Sequence, residues 1–348
     1  MTKFDRIRPG VLSELLEVSG LVGQPLAQQA GQLAGRFPSV VQGDLFLEFE
    51  FGEDAVAAGF GIGFSAGTLD HFRVVQHAFL ATTEGRSLEA AFADDPFAAD
   101  HREHLNLFGD ADPDWVEYDV SEGLIDPTPF VFFRVPSRLR RIASPDDVRE
   151  LCATLPGRGA NADFESLLNR IVASGPAFPY RIGVARSRGP RWWRAIISGI
   201  DRDQVVAAIE GLETEGAEGL LEPASTLYEK GMDQPGACFA LSIDAEGDRI
   251  TAVDVECPYL FRISEPDARR VPFFDYSTEI VASGIVSAAN AAWMNEQVFR
   301  DVALREGGAS LRILLHHLKF RLIGEPYLRT KAYLHLGLTT GSEPAARR

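Results

Sequence analysis

The sequence predicts an α+β fold, in which helices surround a closed antiparallel barrel of ten strands. Helical stretches alternate with pairs of short strands five times along the 348 residues. The strands of a pair are joined as hairpins, so they are antiparallel, and a doubly wound parallel sheet is excluded. The last hairpin separates its polar and apolar side chains, so one face needs a cover of helices. A closed barrel supplies that arrangement, with its polar face turned inward.

The first two units lie in the N-terminal part of the chain. In the first unit, a helical stretch at 11–36 precedes strands at 44–51 and 55–64. In the second unit, a helical stretch at 69–92 and an acidic loop precede strands at 115–120 and 129–135. The strands of the second unit show the weaker alternation, so their pattern supports the fold least.

Three further units follow, each with a turn or helix stop that fixes its boundaries. The third has helices within 145–173 and strands at 180–186 and 191–200, joined by a turn at 187–190. The fourth has a helix at 203–212 and strands at 237–244 and 249–256, joined by a turn at 245–248. The fifth has a helix at 285–303, a stop at Gly307-Gly308 and strands at 314–322 and 327–336. We expect one barrel domain over residues 1–338 and a disordered tail over 339–348.

Composition restricts the class of protein. The formal charge is −16, which argues against a nucleic-acid partner, because such binding depends on cationic contacts with phosphates. No apolar run has the length of a signal peptide or of a membrane span, so we expect no membrane association. The three cysteines lack metal-ligand spacing and leave one unpaired in any disulfide scheme. A reducing cytoplasm is the expected location.

Basic side chains gather on the polar face of the last hairpin, although the protein as a whole is acidic. Alternate residues of a strand share a face. One strand places these residues on one face: Arg329, Lys331, Tyr333 and His335. The preceding strand sets His317, Lys319 and Arg321 against Leu314, Leu318, Phe320 and Leu322. Such a cation cluster indicates a small anionic ligand, such as a phosphate or diphosphate.

Other hairpins contribute carboxylates and open space to the same inferred interior. Glu48 and Glu50 alternate with apolar residues, and the partner strand offers Gly59, Gly61 and Gly63 as room for a ligand. The fourth unit adds four polar residues: Ser242, Asp244, Asp254 and Glu256. The alternation leaves two choices open. Arg181 falls with Gly183, whereas Arg194 falls with Trp192, and the second unit offers Glu117 or Tyr118 together with Arg134.

The order of elements resembles the aromatic prenyltransferases of the ABBA (αββα, PT-barrel) family. Lys331-Ala332-Tyr333 is similar to the Lys-x-Tyr pattern with which indole prenyltransferases hold a diphosphate and shield an allylic cation. Glu48, in Leu47-Glu48-Phe49, resembles the first-strand glutamate that accepts a hydrogen bond from an indole N–H. One departure stands in the fourth unit, where Leu241-Ser-Ile-Asp244 replaces the repeated basic motif.

The resemblance implies an enzyme of secondary metabolism that transfers a prenyl group from an allylic diphosphate to an indole- or phenol-like aromatic acceptor. The implied catalytic residues are Glu48, Glu50 and Tyr333. The implied diphosphate-binding residues are Arg181, His317, Lys319, Arg321, Arg329 and Lys331. The implied residues around the acceptor are Gly59, Gly61, Gly63, Trp192 and Trp193, with one of the two tryptophans serving mainly as packing.

Two questions stay open at the level of sequence. The sequence predicts no metal site: it lacks an Asp-Asp-x-x-Asp motif, and alternation places His316 and His317 on opposite faces. A Mg²⁺ ion that accompanies the diphosphate is left open. The alternative function is a non-catalytic binding protein or accessory subunit that holds a small anionic metabolite. Lys and Arg alternating with Leu also fit a half-solvated sheet without any site.

Overall fold

The structure of the protein is a computed structural model, which describes part of the chain. The described residues are 12–34, 43–51, 68–76, 113–121, 124–126, 128, 130–155, 162–185, 188–189, 191–210, 239–258, 276–282, 286–304, 309–323 and 330–340. Within them, no helix is long and apolar enough to cross a bilayer.

The helices precede the strands or lie between them along the chain. They are α1 (Leu12–Ser19), α2 (Gln24–Ala34), α3 (Pro145–Ala153), α4 (Ala162–Ser174), α5 (Arg202–Glu210) and α6 (Ala288–Gln297). The single stretch expected at 11–36 is broken at Gly20, whose φ of 65° suits glycine. At α3, the Ser144 hydroxyl accepts a hydrogen bond from the Asp147 amide, with Pro145 in the first turn.

The strands form one antiparallel sheet. They are β1 (Gly43–Phe51), β2 (Thr68–Gln76), β3 (Pro113–Ser121), β4 (Leu124–Ile125), β5 (Phe130–Arg134), β6 (Phe178–Ala185), β7 (Trp192–Ile200), β8 (Phe239–Glu246), β9 (Arg249–Pro258), β10 (Phe299–Ala303), β11 (Ala309–Ile323) and β12 (Thr330–Thr340). Neighbours pair in the order β10-β11-β12-β1-β2-β3-β5-β6-β7-β8-β9, and β4 pairs with β3. The last strand of this path, β9, also pairs with β11.

The sheet has an apolar face, which carries Leu47, Phe49, Leu318 and Phe320, and a polar face, which carries Glu48, Lys319, Lys331 and Tyr333. The apolar face and the helices share the main core cluster. The polar face is also buried. Its small apolar cluster, unlike the main core cluster, contains strand residues alone. A guanidinium nitrogen of Arg194 on β7 lies 3.8 Å from a Glu117 oxygen on β3, across the intervening β5 and β6. The sheet is therefore curled, with the polar face on its concave side.

Three parts of the expected element order are corrected. The stretch 69–76, expected as helix, belongs to β2, which pairs with β1 on one side and β3 on the other. The stretch 299–303, expected at the end of a helix, is β10 and pairs with β11. In both cases strand pairing overrides local propensity. β12 continues to Thr340, so the sheet includes two residues that we assigned to the tail. The strand expected at 55–64 lies outside the described residues.

Candidate active site

The hairpin of β11 and β12 places four functional side chains on the polar face. Lys319 pairs with Lys331, and His317 pairs with Tyr333. All four are buried: His317 is 6%, Lys319 1%, Lys331 5% and Tyr333 1% exposed. Two like charges directly opposite each other repel, so this pairing needs counter-ions close by. The hairpin therefore brings together the centre of the predicted basic cluster.

A β-bulge in β11 sets which residues of that strand reach the polar face. The register shifts between Leu315 and His317, which leaves His316 as the extra residue. Leu314 pairs with His335 and therefore lies on the polar face, which corrects its expected place among the apolar residues. The bulge also brings His316 and His317 together, with their Nδ1 atoms 2.7 Å apart, rather than on opposite faces.

Lys331 has its counter-ion on the neighbouring strand. The Nζ of Lys331 donates a hydrogen bond to the Oε1 of Glu48, and the two form a buried ion pair. Glu48 is fully buried and lies opposite Tyr333 in the register of β1 and β12. Lys331, predicted to bind the diphosphate, and Glu48, predicted to bind the acceptor, are therefore direct partners.

Lys319 is surrounded by oxygens from β8 and β9. Its Nζ donates a hydrogen bond to Ser242 Oγ at 2.8 Å and lies 3.4 Å from Asp254 Oδ2 and 3.5 Å from Glu256 Oε1. The register of β11 and β9 explains the contact, because it places Lys319 opposite Glu256. Lys319 thus has oxygen partners although it is almost fully buried.

Arg321 completes the described basic cluster. It lies opposite Asp254, and its Nε donates to Asp254 Oδ1 at 2.9 Å. Burial by itself lowers the pKa of the Arg321 guanidinium, but Asp254 more than offsets this and the pKa is raised. One carboxylate thus serves both Arg321 and Lys319.

A second buried network, centred on Arg194, lies on the same face. Arg194 donates to both carboxylate oxygens of Asp244, from Nε at 2.5 Å and from Nη2 at 2.9 Å. Burial by itself lowers the pKa of Arg194, but Asp244, followed by Glu117 and Tyr333, raises it well above its usual value. Burial likewise opposes ionisation of Asp244, yet Arg194, followed by Lys319 and Arg188, holds its pKa below the ordinary range. We did not select Arg194 from the sequence, although it alternates with Trp192 on β7.

Aromatic rings border the Arg194 network. Phe130 and Phe132 stack with centroids 4.3 Å apart, and Trp192 meets Phe130 edge-on at 4.7 Å. A side chain at Gly183 would collide with both phenylalanines at 2.6 Å, so the rings occupy the space above this glycine. The guanidinium groups of Arg188 and Arg194 lie 4.9 and 5.3 Å from the Trp192 ring. The two guanidinium groups thus already lie against the rings of this patch.

The two adjacent tryptophans occupy different faces. Trp192 belongs to the apolar cluster on the polar face. Trp193 belongs to the main core, where it meets Phe164 of α4 edge-on at 4.9 Å and donates its indole hydrogen to Gly247 O at 3.1 Å. Trp192 is therefore the ring on the polar face, and Trp193 is the one that packs in the core.

His317 and Tyr333 form a stacked pair beside the two lysines. Their rings are 3.9 Å apart and inclined by 16°. The His317 imidazole therefore covers one face of the Tyr333 ring, two residues along β12 from Lys331. Within the described part of the chain, no group of three or more His, Cys, Asp or Glu residues is arranged to hold a metal ion.

The structure describes the remaining predicted site residues to different extents. Arg181 is buried on the polar face, opposite Ile196 on β7, at 7% exposure. Glu50 lies opposite Lys331 in the strand register, but its side chain is outside the described part. Four predicted residues lie outside the described residues: Gly59, Gly61, Gly63 and Arg329.

Charges on the polar face are balanced among the described residues. The cationic side chains on this face are Arg181, Arg188, Arg194, Lys319, Arg321 and Lys331. The carboxylates are as many: Glu48, Glu117, Asp119, Asp244, Asp254 and Glu256. Arg188 and Asp119, at one end of the face, form a two-point ion pair at 2.9 and 2.5 Å. An anionic ligand that bound Lys319, Arg321 or Lys331 would therefore compete with carboxylates that these side chains already contact.

Comparison with known proteins identifies the fold. No protein-family model and no curated protein matches the sequence. Among solved structures, 6-dimethylallyl tryptophan synthase matches over 94% of both chains with a TM-score of 0.54 and 17% sequence identity. At that identity the likeness concerns the fold. The structural resemblance to the ABBA aromatic prenyltransferases that the sequence predicted is thus confirmed, and the chain has an α+β fold like that of a prenyltransferase.

Proposed function

We propose that the protein is an aromatic prenyltransferase, which transfers a prenyl group from an allylic diphosphate to an indole- or phenol-like acceptor. The observation that carries the proposal is the arrangement on one buried face of Lys319, Lys331 and the His317–Tyr333 stack. The fold, shared with 6-dimethylallyl tryptophan synthase, supports it. We also propose that ten strands close into a barrel, since β9 pairs with β11 while the other strands follow in order.

The residues have distinct parts in this reaction. Lys319, Arg321 and Lys331 neutralise the diphosphate as its bond to the allylic carbon breaks, which stabilises the developing charge. The electron pair of that bond leaves with the diphosphate, and the allylic cation meets the π surface of Tyr333. The acceptor ring attacks the cation, and Glu48 accepts a hydrogen bond from the acceptor and assists removal of its proton.

A product assay with a matched pair of variants tests the proposal. Purified protein is incubated with dimethylallyl or geranyl diphosphate and a panel of indoles and phenols, with Mg²⁺ or with EDTA, and products are detected by mass spectrometry. Lys331→Met should abolish product while the circular dichroism spectrum stays unchanged. Arg312→Leu, which removes a cation from the same hairpin but from an exposed ion pair with Asp301, should retain product. Equal activity in the two variants would contradict the assigned site.

The balanced charge supports a second candidate, a binding protein that holds a small anionic metabolite without reacting. Each described cation of the basic cluster already has a carboxylate partner, and these pairs offset the positive charge that would otherwise assist ionisation of a diphosphate. This function predicts pyrophosphate binding that depends on Lys331 and no product with any donor or acceptor in the panel. Product formation would exclude it.

A further inference from the structure

We infer that Glu48 and Lys331 form an exchange pair, through which the diphosphate prepares the site for the acceptor. In the structure the two side chains bind each other. When a diphosphate binds Lys331, the Lys331–Glu48 contact breaks and the Glu48 carboxylate becomes available to the acceptor N–H. The inference rests on the proposed function, to which it adds the coupling and order of substrate binding.

Two proposed roles meet in the contact between Lys331 and Glu48. The resemblance assigns Lys331 to the diphosphate and Glu48 to the acceptor, yet the Lys331 ammonium donates a hydrogen bond to Glu48 Oε1. An ammonium ion can bind several oxygens, but a diphosphate supplies stronger charge than a carboxylate. Entry of the diphosphate therefore weakens the pair with Glu48.

Burial makes breaking the Lys331–Glu48 pair costly. Glu48 is 0% and Lys331 5% exposed, so water compensates either charge poorly once the pair is broken. A diphosphate compensates Lys331, and the N–H of an acceptor compensates Glu48. Each ligand therefore removes part of the cost of binding the other, and by linkage the coupling is reciprocal.

The neighbouring lysine provides an internal comparison. Lys319 is also held by carboxylates, since Asp254 and Glu256 lie 3.4 and 3.5 Å from its Nζ. The resemblance gives neither of those carboxylates an acceptor role. Displacing them changes diphosphate affinity but does not prepare a ligand for the acceptor. Glu256→Gln is thus a matched control for Glu48→Gln.

Calorimetry with inorganic pyrophosphate and 3-methylindole tests the exchange without requiring catalysis. In the wild type, saturating pyrophosphate should tighten 3-methylindole binding by about 10-fold, within the usual range of coupling between sites. Glu48→Gln should tighten pyrophosphate binding, because a competing charge is removed, and should reduce the coupling to about 1-fold. Glu256→Gln should also tighten pyrophosphate binding but keep the wild-type coupling.

The outcomes separate the exchange from the proposed function. If both ligands bind the wild type independently, or if the coupling persists in Glu48→Gln, the exchange pair is overturned and the prenyltransferase proposal stands. If pyrophosphate binds neither the wild type nor Glu48→Gln, the proposed function itself fails. Should Glu48→Gln fold poorly, Lys331→Met supplies the same test. It should bind 3-methylindole with an affinity that pyrophosphate does not change, and retained coupling would overturn the exchange.

Discussion

Asp244→Asn should destabilise the protein strongly, because it leaves the buried Arg194 guanidinium with reduced compensation. Asp244 is 5% and Arg194 2% exposed, and two hydrogen bonds join them. Removing one partner of a buried ion pair costs about 3–5 kcal/mol. Glu117 remains 3.8 Å from Arg194 and offsets part of the loss, so we expect about 3 kcal/mol, at the lower end of that range.

Urea unfolding followed by tryptophan fluorescence measures this loss, and a second ion pair in the sheet provides the control. Arg312 and Asp301 make the same two-point contact, both at 2.8 Å, but the Asp301 side chain is 38% exposed. Asp301→Asn should therefore cost less than about 1 kcal/mol. Equal losses for the two variants would refute the reasoning that burial, rather than hydrogen-bond geometry, sets the cost.

Three further predictions concern pH, packing and thiol reactivity. The folded-state pKa of Asp244 lies below the unfolded value near 3.9, so its stabilising contribution is complete above about pH 4 and is lost as the pH falls through the folded-state value. Urea titrations from about pH 5 downward should therefore show the wild type losing its advantage over Asp244→Asn, and a constant difference would contradict this. Trp193→Ala should lower the free energy of unfolding by about 3–5 kcal/mol, and more than Trp192→Ala does, as measured in thermal melts. Burial raises the pKa of Cys152 to about 12 and also raises that of Cys257, so mass spectrometry should show iodoacetamide labelling of both only after unfolding.

The polar face of the last hairpin could be predicted because strand alternation is a local property. Lys319, Lys331 and Tyr333 alternate with mostly apolar residues along their strands. The structure places the three side chains together. Glu48 followed from the same pattern in the first strand. Its ion pair with Lys331 could not be predicted, because the pairing of β1 with β12 joins opposite ends of the chain.

Other features could not be predicted, because polar and apolar residues do not alternate clearly in the segments that form them. In β7, residues 192–197 are buried on both faces, so alternation does not show which way Arg194 points. The bulge at His316 is hidden because His316 and His317 are both polar, and an extra residue there changes no visible pattern. β2 shows weak alternation and depends on partners that are distant in sequence.

The bulge in β11 has a consequence for tracing the ancestry of this chain. Before and after His316, successive residues of β11 alternate between the two faces of the sheet, but the bulge shifts this alternation by one residue. An alignment without a gap at His316 would match Lys319 and Arg321 to core positions of a distant relative that lacks the bulge. Searches for related proteins should therefore allow a one-residue insertion at this point, so that the two halves of the strand are compared in their own frames.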